Sequence, residues 1–267
     1  MMDPESFFAR YPVFTADEFA EHHRQMGSGH SATRQSVLAH HESRGRIVRL
    51  RRGLYMTVPP GSDPATASVD PYLVASRMAP DAVLAYHTAL ELHGYAHSVF
   101  EQYQYLTRTS SRPAKVRSFS FQPVRVPKAL DHDHRIGVRV VDRLGLDVRV
   151  TTLERTCVDV LDRLDLSGGL EEVWRSLESV PYFDLDELVE YALRLGSATT
   201  VAKVGYFLEM HASRLAVQPV HLETLRKQRP KSPHYIERAA TKANRMVSTW
   251  NIVVPLELAE QTWKEVG

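Results

Sequence analysis

SATRQSVLAHHESRGRIVRLRRGLYMTV, residues 31–58, decides how the N-terminal part of the chain folds. Ser31 or Thr33 supplies a helix cap, and Gly45 is the C′ glycine that stops the helix. By three-to-four spacing Val37, Leu38 and His41 share an inner face, while Thr33, Ser36, His40 and Arg44 fall on a polar outer face. After Gly45 two β-prone runs, Ile47 to Leu50 and Leu54 to Val58, flank Arg51-Arg52-Gly53, which reads as a hairpin with a basic tip.

Upstream, Thr15-Ala-Asp-Glu18 has the form of a capping box, so another helix starts there. Phe14 and Phe19 give it apolar anchors, and Gly27-Ser-Gly29 closes it with residues suited to a turn. Two helices, a tight turn and a hairpin over residues 15–58 make a winged helix-turn-helix. Pro59-Pro60-Gly61-Ser62-Asp63-Pro64 continues neither helix nor strand, which sets a domain boundary there: 1–62, then 63–267.

The second part opens with Asp70-Pro71, a cap and an N1 proline, and a helix to about Met78. A helix from Val83 to His93 ends at Gly94, and strands follow at Gln102–Thr107, Ser118–Val126, Gly137–Asp142 and Asp147–Val150. From Thr152 the period turns helical, with stops at Ser167-Gly168-Gly169 and Gly196, a capping-box pattern at Asp184 to Glu187, and another start at Thr199 or Thr200. Helices, an antiparallel sheet and a helical layer give an α+β class.

The chain has 267 residues, 43% hydrophobic and 24% charged, which is ordinary for a globular protein of two domains. A single cysteine, an opening without a secretory signal and no apolar run of membrane-spanning length lead us to expect a cytoplasmic protein with no membrane partner. Net charge is only +1, but it is unevenly spread. Six arginines stand against Glu42 alone between Arg34 and Arg52, whereas residues 142–190 hold thirteen acids against five arginines. Residues 203–246 are basic again, with nine Lys or Arg against three acids, and read as either a second nucleic-acid surface, an acidic-partner surface or a solvated face.

A helix about 10 to 12 Å across fits the major groove of duplex DNA, and a wing reaches phosphate or the minor groove. Arginine suits both tasks because its guanidinium forks onto guanine or phosphate. The expected DNA-facing residues are therefore Ser31, Thr33, Arg34, Gln35, Ser36 and His40 on the helix, then Arg44, Arg46, Arg49, Arg51 and Arg52. Asp131-His132-Asp133-His134 contains ligand-type residues but sits between turns and reads as an exposed loop. His87 and Glu91, at i and i+4 beside His93, lack a third ligand and read as packing; Cys157 lies on an apolar stripe and reads as a small hydrophobe. There is no phosphate loop, dinucleotide fingerprint, nucleophile elbow or paired-cysteine zinc spacing, so we expect no enzyme and no cofactor. The rival reading is a metal-dependent nuclease or nucleotidyltransferase, for which Asp131, Asp133, Asp142 and Asp147 are the candidate carboxylates.

Several stretches resemble the AbiEi-like antitoxins of type IV abortive-infection systems. They are FTADEFAEH (14–22), the 31–58 segment with its RLRRGLY wing, LVASRMAPDAVLAYHTALELHGY (73–95), TTLERTCVDVLDR (151–163), SGGLEEVWRSLE (167–178), LRKQRPKSPHYI (225–236) and WNIVVP (250–255). The resemblance spans nearly the whole chain; the wing echoes the family closely, and the stretches of the second part make the match more specific. It implies a winged helix-turn-helix joined to a larger antitoxin domain, autorepression through inverted repeats in double-stranded promoter DNA, and a nucleotidyltransferase-fold toxin as partner. It also implies DNA-facing roles for Arg34, Gln35, Arg49, Arg51 and Arg52. A stand-alone winged-helix regulator without a toxin is the nearest alternative.

Overall fold

Thr15 and Glu18 close a reciprocal cap: the Glu18 backbone N–H donates to Thr15 Oγ1 at 3.1 Å, and the Thr15 N–H donates to Glu18 Oε2 at 2.7 Å. The computed structural model in which this is seen describes residues 4–25, 31–237 and 243–260, excluding the side chains of residues 4, 5 and 31–34. The chain divides into two compact units, one of Met1–Leu84, Phe100–Arg125 and Val140–Val150, the other of Ala85–Val99, Val126–Arg139 and Thr151–Gly267.

The first unit begins α1 (Pro4–Arg10), β1 (Val13–Thr15), α2 (Ala16–Gln25), α3 (Ser31–Ser43), β2 (Ile47–Arg51) and β3 (Leu54–Thr57). The three strands pair antiparallel in the order β1-β3-β2. The helix at residues 4–10 and the strand at 13–15 were not expected from the sequence. They are held by tertiary packing: Phe7, Phe8, Phe14, Phe19, Leu38 and Ile47 form one buried cluster. Phe7 meets Phe14 and Phe19 edge-on at 5.1 and 5.2 Å, and Phe8 meets His41 edge-on at 4.7 Å. The expected Gly27-Ser-Gly29 turn lies outside the described residues.

The unit continues with α4 (Pro71–Ser76) and β4 (Val83–Leu84); after α5 (His87–His93), it takes in β5 (Gln102–Thr107), β6 (Ala114–Val116), β7 (Phe119–Arg125), β8 (Val138–Arg143) and β9 (Leu146–Thr151). These form a six-stranded sheet, ordered β6-β7-β5-β4-β9-β8. The sheet is mixed, which corrects the expectation of an antiparallel one: β5 runs parallel to β7 and β4 parallel to β9. The cause lies in the connection. From β5 the chain first makes the edge strand β6, antiparallel to β7, and so returns along β5 in the same sense. Alternating apolar residues carry no information about strand direction.

The expected helix from Val83 is also corrected. Val83 and Leu84 pair with Leu106 and Tyr105 on one side, and Leu84 with Val150 on the other; only then, past Tyr86 in the left-handed region at φ 56, does α5 begin. A two-residue strand paired on both sides offers no period to read. Asp70 caps α4 as expected, its side chain accepting from the Leu73 N–H at 2.9 Å.

The second unit holds α5 and the helices α6 (Leu153–Asp162), α7 (Leu170–Ser179), α8 (Leu185–Leu195), α9 (Ala198–Met210) and α10 (Pro219–Arg226). A small sheet follows, with β10 (His234–Tyr235), β11 (Asn244–Val247) and β12 (Ile252–Pro255) in the order β10-β12-β11, then α11 (Leu256–Glu260). Asp184 caps α8 as its capping-box pattern placed it, with Gly196 left-handed at φ 73 closing that helix, and Thr152, where the helical period begins, caps α6. The cap of α9 is Ser197 rather than Thr199 or Thr200.

This core contains charge. Arg155, 1% exposed, donates through Nε to Asp159 at 3.2 Å and through Nη1 to the Ile136 carbonyl at 2.7 Å, while the Tyr191 hydroxyl donates to Asp159 at 2.6 Å. His87 lies between two carboxylates, Nε2 at 3.0 Å from Glu172 and Nδ1 at 3.2 Å from Glu91. Burial pushes the Glu172 carboxyl up, but hydrogen bonds from Ser98 and His87 outweigh it and hold the group below its ordinary value. A carboxyl lowered by folding contributes stability above the ordinary carboxylate range, and that stability is lost as pH falls through the folded-state value. Acidification should therefore destabilise the chain below the ordinary carboxylate range, and Glu172→Gln should flatten that dependence in urea titrations at a series of pH values. In the aromatic cluster, Phe19→Ala should cost about 3 to 5 kcal/mol in the same assay.

Candidate nucleic-acid interface

Inner and outer faces of α3 are distinct. Val37 is half-buried against the aromatic cluster, Leu38 and His41 are buried, and Gln35, Ser36, Ala39 and His40 are exposed. The apolar positions seat the helix, and the polar ones face outward as their spacing predicts. The helix stops at Gly45, left-handed at φ 68, where the Gly45 N–H donates to the Glu42 carbonyl and the Arg46 N–H to that of His41, each at 3.0 Å. A Cβ at Gly45 would come within 2.9 Å of Pro64 Cγ, so backbone angle and close approach both require glycine.

The hairpin pairs Ile47 with Thr57, Val48 with Met56 and Arg49 with Tyr55, then shifts register before Arg51 meets Leu54. Such a bulge sharpens the twist of the strand. Gly53 turns the tip at φ 76, and its carbonyl accepts the Ala16 N–H at 2.8 Å, tying the hairpin to the start of α2.

Among the expected DNA-facing residues, Gln35, Ser36, His40, Arg44, Arg46, Arg49, Arg51 and Arg52 are exposed. Ser31, Thr33 and Arg34 fall in the first turn of α3, and their side chains lie outside the described residues. Arg44, Arg49 and Arg52 carry no ion pair among the described residues. Arg51 differs from its neighbours: its Nη1 lies 3.0 Å from Met78 Sδ, so the side chain leans onto the sheet-bearing part of the unit. Its charge also acts on Tyr105, where burial pushes the phenol up and a hydrogen bond with Ser111 and Arg51 oppose that rise.

Tyr105 leads to residues that sequence reasoning missed. Its hydroxyl is 2.9 Å from Ser111 Oγ, in the loop between β5 and β6. This loop and the β6–β7 turn read RTSSRPAKVR, residues 108–117, with four cations and no acid. Arg108, Arg112, Lys115 and Arg117 are all exposed. Arg117, at φ 55, donates to the carbonyls of Ala65 and Pro64 at 3.1 and 2.9 Å and lies 3.6 Å from Met56 Sδ on β3. The loop's beginning is anchored by Asp81, which accepts from Thr107 Oγ1 at 2.5 Å and the Arg108 N–H at 2.7 Å. Burial pushes that carboxyl up, but the two hydrogen bonds outweigh it and leave it below its ordinary value. The signal was present as four cations in ten residues; its place beside the β2–β3 hairpin was not.

Asp133 is paired with Arg194 at 2.7 Å. Asp131 and Asp133 belong to the second unit, and Asp142 and Asp147 to the first. No group of three or more His, Cys, Asp and Glu gathers as a metal site among the described residues. Cys157 is fully buried, and burial drives its thiol far above the ordinary range. No helix among the described residues is long and apolar enough to cross a membrane.

Arg77 links α2 to the sheet-bearing part of the unit. Its Nη2 lies 3.1 Å from Glu18 Oε1, and its Nε donates to Oε2 at 3.2 Å. Glu18→Ala removes the carboxylate half of the reciprocal cap and this fork and should cost about 2 to 3 kcal/mol, whereas Glu18→Gln keeps an acceptor for the Thr15 N–H and should cost less. Urea denaturation of the two variants checks the order.

No family model matches the chain, and no curated protein matches it. Among solved structures it is similar to the RV2827C protein of Mycobacterium tuberculosis, with a TM-score of 0.61 at 18% identity, covering 96% of this chain and 90% of that one. At that identity the likeness concerns the fold alone.

Proposed function

We propose that residues 1–62 are a winged helix-turn-helix that binds double-stranded DNA, and that the protein represses its own promoter as the antitoxin of a type IV toxin-antitoxin pair. The observation that carries the DNA reading is the placement of Arg49 and Arg52, exposed and without ion pairs among the described residues, on a hairpin that follows a helix with an exposed polar face. The element order α1-β1-α2-α3-β2-β3 and the strand order β1-β3-β2 support it. In this reading α3 enters the major groove, with Gln35, Ser36 and His40 toward base edges, and Arg49 and Arg52 reach phosphate or the minor groove. Arg51, held against Met78, braces the wing, and Arg108, Arg112 and Lys115 extend its basic surface.

Repression needs no catalytic step: a repressor seated on inverted repeats occludes the promoter. The antitoxin part, with a nucleotidyltransferase-fold toxin as partner, rests on the resemblance of the 73–95, 151–178 and 225–255 stretches to AbiEi-like proteins.

Fluorescence anisotropy with the full chain and its own promoter duplex tests the DNA reading. If six to eight phosphates are neutralised across a repeat, affinity should fall by about three to four decades between 50 and 200 mM salt. Arg49→Ala with Arg52→Ala should weaken binding at least tenfold and reduce the salt slope by about two per wing pair. Binding indifferent to both salt and this double substitution would sink the wing assignment. Growth rescue on co-expression with a nucleotidyltransferase encoded beside this gene tests the antitoxin part; no such neighbour, or no rescue, leaves a stand-alone regulator.

A further inference from the structure

Basic residues of the C-terminal region that the wing does not use gather around an open groove of about 480 Å³ in the second unit, lined by Arg226, Lys227, Arg229, Pro230, Lys231 and Asn251. We propose that this groove is a phosphate-binding site. No acid lines it. Arg226 is already committed, its guanidinium paired with Glu209 and lying 5.3 Å over the Trp250 ring. Lys227, Arg229 and Lys231 carry no ion pair among the described residues. Three uncompensated cations therefore share one depression.

The surrounding backbone suits an anion. Carbonyl oxygens would repel one, but two that accept from lining side chains are engaged: Arg229 Nη1 donates to the Thr249 carbonyl at 2.8 Å, and Asn251 Nδ2 donates to that of Pro230 at 2.8 Å. The first bond also orients the Arg229 guanidinium while leaving its charge unneutralised, since a carbonyl is a neutral acceptor. Asn251 reaches its position from the left-handed region, at φ 51, which asparagine tolerates better than most residues. One oriented guanidinium with two mobile ammonium groups is a donor set for phosphate oxygens, forked contact from the first and point charge from the others.

Charge and lining narrow the ligand class. Three cations exceed what one carboxylate balances and match a polyphosphate or successive phosphodiesters. A base would need an aromatic platform. None lines the groove, and Trp250 is fully buried beneath Arg226. Recognition therefore runs through phosphate groups, borne either by a nucleic-acid backbone or by a free polyphosphate, and does not depend on the wing.

Isothermal titration of the full chain with pyrophosphate is the test, comparing the parent protein with Lys227→Ala/Lys231→Ala and with Arg49→Ala/Arg52→Ala. The lysine pair should lose affinity at least tenfold at unchanged Tm, while the wing pair keeps it, so failure of the DNA reading and failure of this one are separable. Displacement of a labelled 12-nucleotide single strand by pyrophosphate in the wing variant assigns the site to a nucleic-acid backbone. Pyrophosphate binding without strand binding assigns it to free polyphosphate. Pyrophosphate affinity untouched by the lysine pair, or a triglutamate peptide binding more tightly than pyrophosphate, overturns the proposal.

Discussion

Two helix N-termini in the first unit are capped by carboxylates that arginines then grip, and the seating of the N-terminal helices rests on this arrangement. Asp70 caps α4 through Oδ1 and receives Arg143 on Oδ2, Nε at 2.8 Å and Nη2 at 2.7 Å. Arg77, directly after α4, forks onto Glu18, which caps α2. A carboxylate has room for this because its two oxygens offer about four acceptor sites. The negative charge also sits at the favourable end of each helix dipole. Arg143, Asp70, α4, Arg77 and Glu18 thus connect the edge of the large sheet to the start of α2, alongside the buried Leu73, Val74 and Ala75 of α4. The aromatic cluster does the rest, since Phe8 and Phe19 hold α3 by Leu38 and His41 and leave its other side bare.

The same residue type therefore has two duties that composition does not separate. Arg77, Arg117, Arg143 and Arg155 spend their donors on carboxylates and carbonyls and belong to the architecture. Arg44, Arg49 and Arg52 spend none on an ion pair among the described residues. Arg51 stands between, exposed yet turned to a thioether. Within the run Arg49-Leu-Arg-Arg52 nothing in the sequence distinguishes the middle arginine from the other two.

What could be read from the chain alone was local. The caps at Thr15, Asp70, Thr152 and Asp184, and the glycine stops at Gly45, Gly94 and Gly196, depend on residues within one turn of each other. The hairpin after Gly45 was legible for the same reason. Hidden features were those decided by distant partners. The helix at residues 4–10 is made by Phe7 and Phe8 finding Phe14 and Phe19, β4 by pairing on both sides, and the parallel run of β7 by the detour through β6. The cations at 108–117 were visible as composition, but only the contacts of Ser111 with Tyr105 and of Arg117 with Met56 and Pro64 bring them to the β2–β3 hairpin.

A net charge of +1 is a poor guide to such a molecule, because charges are felt over about a Debye length of 8 to 10 Å and not across the whole protein. The acidic segment 142–190 shows how far a count misleads. Asp159, Asp165, Glu171, Glu172 and Glu190 each meet a cation or an imidazole at close range, through Arg155, Arg163, Arg175, His87 and Arg194. Three of these arginines already stand in the count, but His87 and Arg194 come from outside the segment, so the count overstates the charge at Glu172 and Glu190. Arg49 and Arg52 on the β2–β3 hairpin carry no ion pair among the described residues, so the field beside that hairpin is set more by them and the 108–117 loop than by the total. Uncompensated charge of one sign can therefore gather on one face while the chain as a whole stays close to neutral.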